Sequence, residues 1–197
     1  MGFLRKLKKR DDRFARVGKS KAAKRDARAA HNMMLEGEAA RRYAWELEGK
    51  SLHDTQVIFI KALHDTFGFG TKRLIDVVHH VSELGDTVKK FSRSGVSVQA
   101  LRDQLEAETG YDIDIHEIKG GPEIQIQKIA VDEISVLYLW TLHAKYGFGK
   151  GRLQKMYAAC AGIGDDLKHG RLTMDGLMEE LFGETELTFR MRRRKTA

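Results

Sequence analysis

The feature that most constrains this chain is an internal duplication. Residues 63–74 read LHDTFGFGTKRL and residues 142–153 read LHAKYGFGKGRL, at a constant offset of 79 positions. Leu63/Leu142, His64/His143, Gly68/Gly147, Phe69/Phe148, Gly70/Gly149, Arg73/Arg152 and Leu74/Leu153 are identical, and Phe67/Tyr146 are both aromatic. Gly85-Asp86 recurs as Gly164-Asp165. After a three-residue deletion the offset becomes 76, aligning Ser97/Thr173, Leu101/Leu177, Leu105/Leu181 and Glu108-Thr109/Glu184-Thr185. Agreement over this length is not chance. The fold must therefore accommodate one plan twice.

That plan begins with an apolar helix (Val57 to Thr66; Ile134 to Lys145) and an aromatic-Gly-Phe-Gly turn. A second helix carries Leu74, Val77, Val78 and Val81, or Leu153, Met156, Tyr157 and Cys160, at helical spacing. Gly85 or Gly164 is expected to end it, since glycine takes left-handed backbone angles without a Cβ clash. Ser97 or Thr173 then caps a third helix with a side-chain oxygen, and Leu101/Leu105 or Leu177/Leu181 stripe it. The pattern next turns to period two: Tyr111, Ile113 and Ile115; Leu187, Phe189 and Met191; and, between the copies, Ile124, Ile126 and Ile129 after Gly120-Gly121-Pro122. The expected fold is mainly α with a minor β-sheet (α+β), a duplicated three-helix unit plus short strand behind a basic helical arm. Its expected divisions are 1–50 (arm and connecting helix), 51–118 (first repeat), 119–132 (linker and hairpin strand) and 133–197 (second repeat with basic tail).

Charge separates the ends from the body. The chain carries +7 overall, but residues 1–31 hold a net +9, the tail from Arg190 holds +5, and residues 32–189 are left at −7. The head includes Arg5, Lys6, Lys8, Lys9, Arg10, Arg13, Arg16, Lys19 and Lys21, and the tail Arg192, Arg193 and Arg194. Three readings of the arm compete: phosphate-backbone binding by counterion release, docking on anionic lipid through the short Phe3/Leu4/Leu7 edge, and a solubilising terminus. The first is the best match to many cations with little apolar face. An acidic body with cationic ends also suits a second function, a protein-interaction module that engages a host or virion protein through the arm.

The hydrophobic-Gly-hydrophobic-Gly turn resembles the helix-hairpin-helix motif of DNA-binding proteins. The resemblance implies that backbone amides at the second helix N-terminus hold phosphate oxygens, with Gly68, Gly70, Lys72 and Arg73, and Gly147, Gly149, Lys150 and Arg152, as the matching positions. It departs from the motif in Phe67 and Tyr146, where proline is usual, and in Leu74 and Leu153, where a small residue is usual. The alternative is a structural turn in which Phe69 and Phe148 plug the core. The whole LHxx(F/Y)GFGxxRL unit is also similar to short uncharacterised proteins of bacteriophages and mobile elements, which implies an accessory role and no particular activity.

No catalytic signature accompanies these features, so no enzyme is expected. His64 and His143 repeat without an HExxH or His-carboxylate partner in sequence, and are expected to close their helices by bonding a carbonyl or by favouring the negative end of the helix dipole. His79-His80 are adjacent on a helix, which argues against a shared metal. Cys160 stands alone, excluding an internal disulfide or a cysteine-cluster zinc site. No cofactor or metal is expected. Neither a membrane-length apolar run nor a cleavable leader is present, so the expectation is a cytoplasmic protein with nucleic acid, DNA or RNA, as its partner and no membrane association.

Overall fold

Where the chain's apolar positions recur at helical spacing, helices form; the computed structural model describes residues 36–91, 97–113 and 121–187. The six helices among them are α1 (residues 36–67), α2 (Thr71–Phe91), α3 (Val98–Thr109), α4 (Pro122–Tyr146), α5 (Lys150–Lys168) and α6 (Met174–Thr185). The chain divides between Glu46 and Leu47. Before that point residues 36–46 are helical and largely exposed, Tyr43 and Trp45 included. From Leu47 onward lies the duplicated body.

Each copy contributes a long helix, a Gly-Phe-Gly turn, a second helix and a short third one. The turns are built alike. Gly68 (φ 65°) and Gly147 (φ 61°) take the left-handed conformation that ends α1 and α4, and their amides donate to the carbonyls of His64 and His143 at 2.9 and 3.0 Å. A Cβ at either position would be strained by the backbone angle itself. Ser97 and Thr173 cap α3 and α6, each accepting at 3.1 Å from the amide three residues on, Ala100 or Gly176. Such a cap contributes about 1 kcal/mol.

Packing interlocks the copies. Phe59 and Tyr138 occupy the same place in the repeat and stack on each other, centroids 4.6 Å apart and planes at 24°. Phe69 and Phe148, again twins, meet edge-on at 6.3 Å. Equivalent residues that touch each other lie beside a local two-fold axis, as in an isologous dimer interface. Helix α4 packs more extensively on α2 and α3 of the first copy than on its own successor α5. In the reverse sense, Lys61 of α1 reaches Glu180 and Glu184 of α6. The run Ser135–Leu139 is buried on all sides, as a helix through the centre of a bundle requires.

Three expectations are corrected. The described residues contain no strand, so the fold is all-helical rather than α+β. Ile124, Ile126 and Ile129 belong to α4: Pro122 sits in its first turn, where a missing N–H costs nothing, and Ile126, Ala130, Ile134 and Leu137 continue one face at helical spacing. Tyr111 and Ile113 are buried, with Asp112 exposed between them, yet no ladder holds them. Arg102 does so, donating to the Asp112 carboxylate and the Ile113 carbonyl, both at 2.8 Å. Ile115, Phe189 and Met191 lie outside the described residues. Finally, Gly85 and Gly164 do not end their helices. Gly85 lies within α2 against α4, where an added Cβ would stand 3.5 Å from Leu137 Cδ1, and α5 runs on to Lys168 before Gly170 turns left-handed.

Candidate functional site

The two turns face each other across the local axis and enclose an aromatic cluster. Phe67 meets Phe148 at 4.9 Å and Tyr146 meets Phe69 at 5.2 Å, the same contact made in both directions. Phe69 and Phe148 are buried. Beside each turn sits a histidine latch. His64 Nδ1 lies 3.0 Å from the Phe69 carbonyl and its Nε2 lies 3.3 Å from Glu184. His143 Nδ1 lies 3.0 Å from the Phe148 carbonyl and its Nε2 lies 2.9 Å from Glu108. Glu108 and Glu184 are twins, so each histidine closes its own turn and grips the third helix of the other copy. In both histidines each ring nitrogen faces an oxygen, one a turn carbonyl and the other a carboxylate. Glu108 is held below the usual carboxylate range, first by the His143 bond and then by Gln104. The expectation that these histidines bond a carbonyl anticipates half of this; the carboxylate partner comes from a segment distant in sequence.

Where the copies differ, they differ in matched sets. Lys61 is buried and reaches Glu180 at 2.8 Å, Asp65 at 3.1 Å and Glu184 at 3.1 Å. Burial works against its charge, but the hydrogen bonds it donates to Glu180, Asp65 and Glu184 outweigh that and lift its pKa well above the ordinary lysine value. In the twin location Trp140, Ala144 and Gln104 stand for Lys61, Asp65 and Glu180, and the Trp140 ring lies 5.9 Å from that of His143. Likewise Tyr146 donates to Asp76 at 2.7 Å, whereas its twin Phe67 receives the Lys155 ammonium over its face at 5.7 Å, Lys155 being the twin of Asp76. Hydroxyl faces carboxylate on one side; ring faces cation on the other. In the sequence these positions stand out only as places where the two copies disagree; which of them pair is a tertiary matter.

The four cations expected on the turns lie at the N-terminal ends of α2 and α5. Lys72, Arg73, Lys150 and Arg152 are exposed, and no ion pair engages them among the described residues. Arg73 stacks over Phe69 at 5.7 Å and Arg152 over Phe148 at 4.8 Å; Arg152 also donates to the Gly147 carbonyl at 2.5 Å. The two guanidinium groups thus flank one aromatic cluster. Arg5, Lys6, Lys8, Lys9, Arg10, Arg13, Arg16, Lys19, Lys21, Arg192, Arg193 and Arg194 lie outside the described residues.

No family model, no curated protein and no solved structure matches this chain. The likeness to bacteriophage and mobile-element proteins finds no support there, and no strand accompanies the repeated unit among the described residues. The helix-hairpin-helix likeness is corrected as well. The turn phenylalanines are spent on packing the copies together, and α4 packs chiefly on the other copy's helices instead of closing a self-contained hairpin with α5. Among the described residues no helix is long and apolar enough to cross a membrane.

Proposed function

We propose that this protein binds the phosphate backbone of nucleic acid without sequence preference, working in the cytoplasm. The observation that carries the reading is the partition of charge, +9 and +5 on the two ends of a chain whose middle is −7. An acidic body repels a polyanion, so affinity resides in the ends, where closely spaced Lys and Arg release condensed counterions. Lys72, Arg73, Lys150 and Arg152 add a smaller contribution: among the described residues no ion pair engages them, and they stand where two helix dipoles present their positive ends. These contacts position the chain on the backbone without reading bases.

A salt titration with duplex DNA and with single-stranded RNA tests this, using the intact chain and a variant lacking residues 1–31. The intact chain is expected to bind at low ionic strength, with affinity falling linearly on a log–log plot against salt at a slope of about −0.7 to −0.9 per phosphate neutralised. The truncated chain is expected to bind far more weakly with a shallower slope. Equal indifference of both proteins to nucleic acid in dilute buffer would refute the reading. Replacing all four turn cations with Gln is expected to reduce the slope by a few contacts at most.

A further inference from the structure

We propose that His79, His80 and Glu83 on α2 form a binding site for a transition-metal dication of the zinc class. One ligand atom from each of the three lies within 4.8 Å of the others. Glu83 Oε2 stands 3.3 Å from His79 Nδ1 and 3.1 Å from His80 Nδ1. Around a tetrahedral zinc with bonds of about 2.0–2.2 Å, neighbouring ligand atoms are separated by about 3.3–3.5 Å. The carboxylate therefore already stands at ligand spacing from both rings. Neighbouring histidines leave a helix on different faces, yet Glu83 is reached from both, at i+3 and at i+4.

A second observation comes from the far side of the His80 ring. Its Nε2 lies 3.1 Å from Asp76 Oδ1, the outer carboxylate that metal-bound histidines commonly use to fix ring orientation and raise ligand basicity. Asp76 is itself held by the Tyr146 hydroxyl at 2.7 Å. The Lys145 ammonium also contacts Nε2; with a metal on Nδ1 the ring proton sits on Nε2 and points to Asp76, so Lys145 must turn from the ring to the Asp76 carboxylate, whose charge it already feels. Two imidazoles and one carboxylate suit zinc and its neighbours better than calcium or magnesium. Three protein ligands leave a position open to water or an incoming donor.

The duplication supplies an internal control. At the twin positions α5 carries Ala158, Ala159 and Gly162, so the shared architecture does not require His79, His80 and Glu83. The other histidine–carboxylate group, His64, Asp65 and Glu184, is different in kind. The Lys61 ammonium lies 3.1 Å from both Asp65 and Glu184 and already supplies the cation there.

Calorimetric titration of the full chain with zinc chloride at neutral pH tests the site, with cobalt(II) absorption reporting geometry. One ion per chain is expected, with a tetrahedral cobalt spectrum. His79→Ala and Glu83→Gln are each expected to weaken zinc binding at least about tenfold, and His64→Ala to leave it unchanged. His79 and Glu83 have side chains 66% and 60% exposed, so neither change disturbs the core, and circular dichroism verifies this. Absence of zinc binding by the intact chain overturns the proposal. So does binding that survives both substitutions undiminished, or that is lost with His64→Ala.

Discussion

At the scale of single residues, the duplication allows each position to be judged against its twin. Gly110 ends α3 in the left-handed conformation (φ 67°) at no steric cost. Its twin at the end of α6 is Glu186, held at φ 56°, where a Cβ meets the carbonyl at a cost of roughly 1–2 kcal/mol. Glu186→Gly is expected to stabilise the protein by about 0.5–1 kcal/mol after the entropy of an added glycine is counted, read as a rise in the urea midpoint. Tyr138 offers a similar case. Its ring stacks on Phe59, but its hydroxyl is buried with no hydrogen-bond partner among the described residues. The twin position uses phenylalanine. Tyr138→Phe keeps the stack and removes an unsatisfied group, and is expected to raise stability by about 1 kcal/mol. Cys160 takes the place of Val81, and burial pushes its thiol up to about 12. Alkylation of the native protein at neutral pH is accordingly expected to be slow and to accelerate on unfolding.

At the scale of elements, what distinguishes the contacts between helices is the charge they carry. Lys61 joins α1 to α6. Its pKa is raised in the folded state, so its contribution is whole below the unfolded lysine value of 10.5 and is lost as pH climbs through the folded value. Lys61→Met is expected to cost about 1–2 kcal/mol, less than the 3–5 typical of a broken buried pair, because Asp65, Glu180 and Glu184 stay 40–50% exposed. The gap between variant and parent is expected to hold steady at neutral pH and to narrow above roughly pH 10.5 in denaturant melts. Glu108 and Asp76 behave in the opposite sense. His143 and then Gln104 lower Glu108, and Tyr146, foremost, lowers Asp76. Their contributions are present above the ordinary carboxylate pKa and fade as acid is added. Carboxyl NMR titrations are expected to show Asp76 returning toward the usual range in Tyr146→Phe, and Glu108 in His143→Gln. The helices themselves were legible from residue patterns, and so were the caps at Ser97 and Thr173. The strands were misread because a short apolar run obeys either period: Ile124 and Ile126 alternate, but α4 is decided by the longer series through Leu137. Tyr111 and Ile113 alternate truly, and their anchor is the Arg102 side chain.

At the scale of the whole molecule, each copy is completed by the other. His64 needs Glu184 and His143 needs Glu108, and the turn aromatics pack on one another across the local axis. The body from Leu47 is therefore expected to unfold in one step, with far-UV circular dichroism and Trp140 fluorescence superimposing in a Trp45→Phe background. Two separate transitions would show that the copies are autonomous. The sequence by itself determined the twofold repetition, the three helices of each copy, the place of the Gly-Phe-Gly turns and the segregation of charge, because these depend on local sterics, periodicity and counting. Only the tertiary structure decided that His64 answers to Glu184, that Tyr146 with Asp76 stands opposite Phe67 with Lys155, and that the turns face inward. Those pairings join residues 70 to 120 positions apart, and nothing in local chain energetics selects one distant partner over another until the buried surfaces of both copies come together.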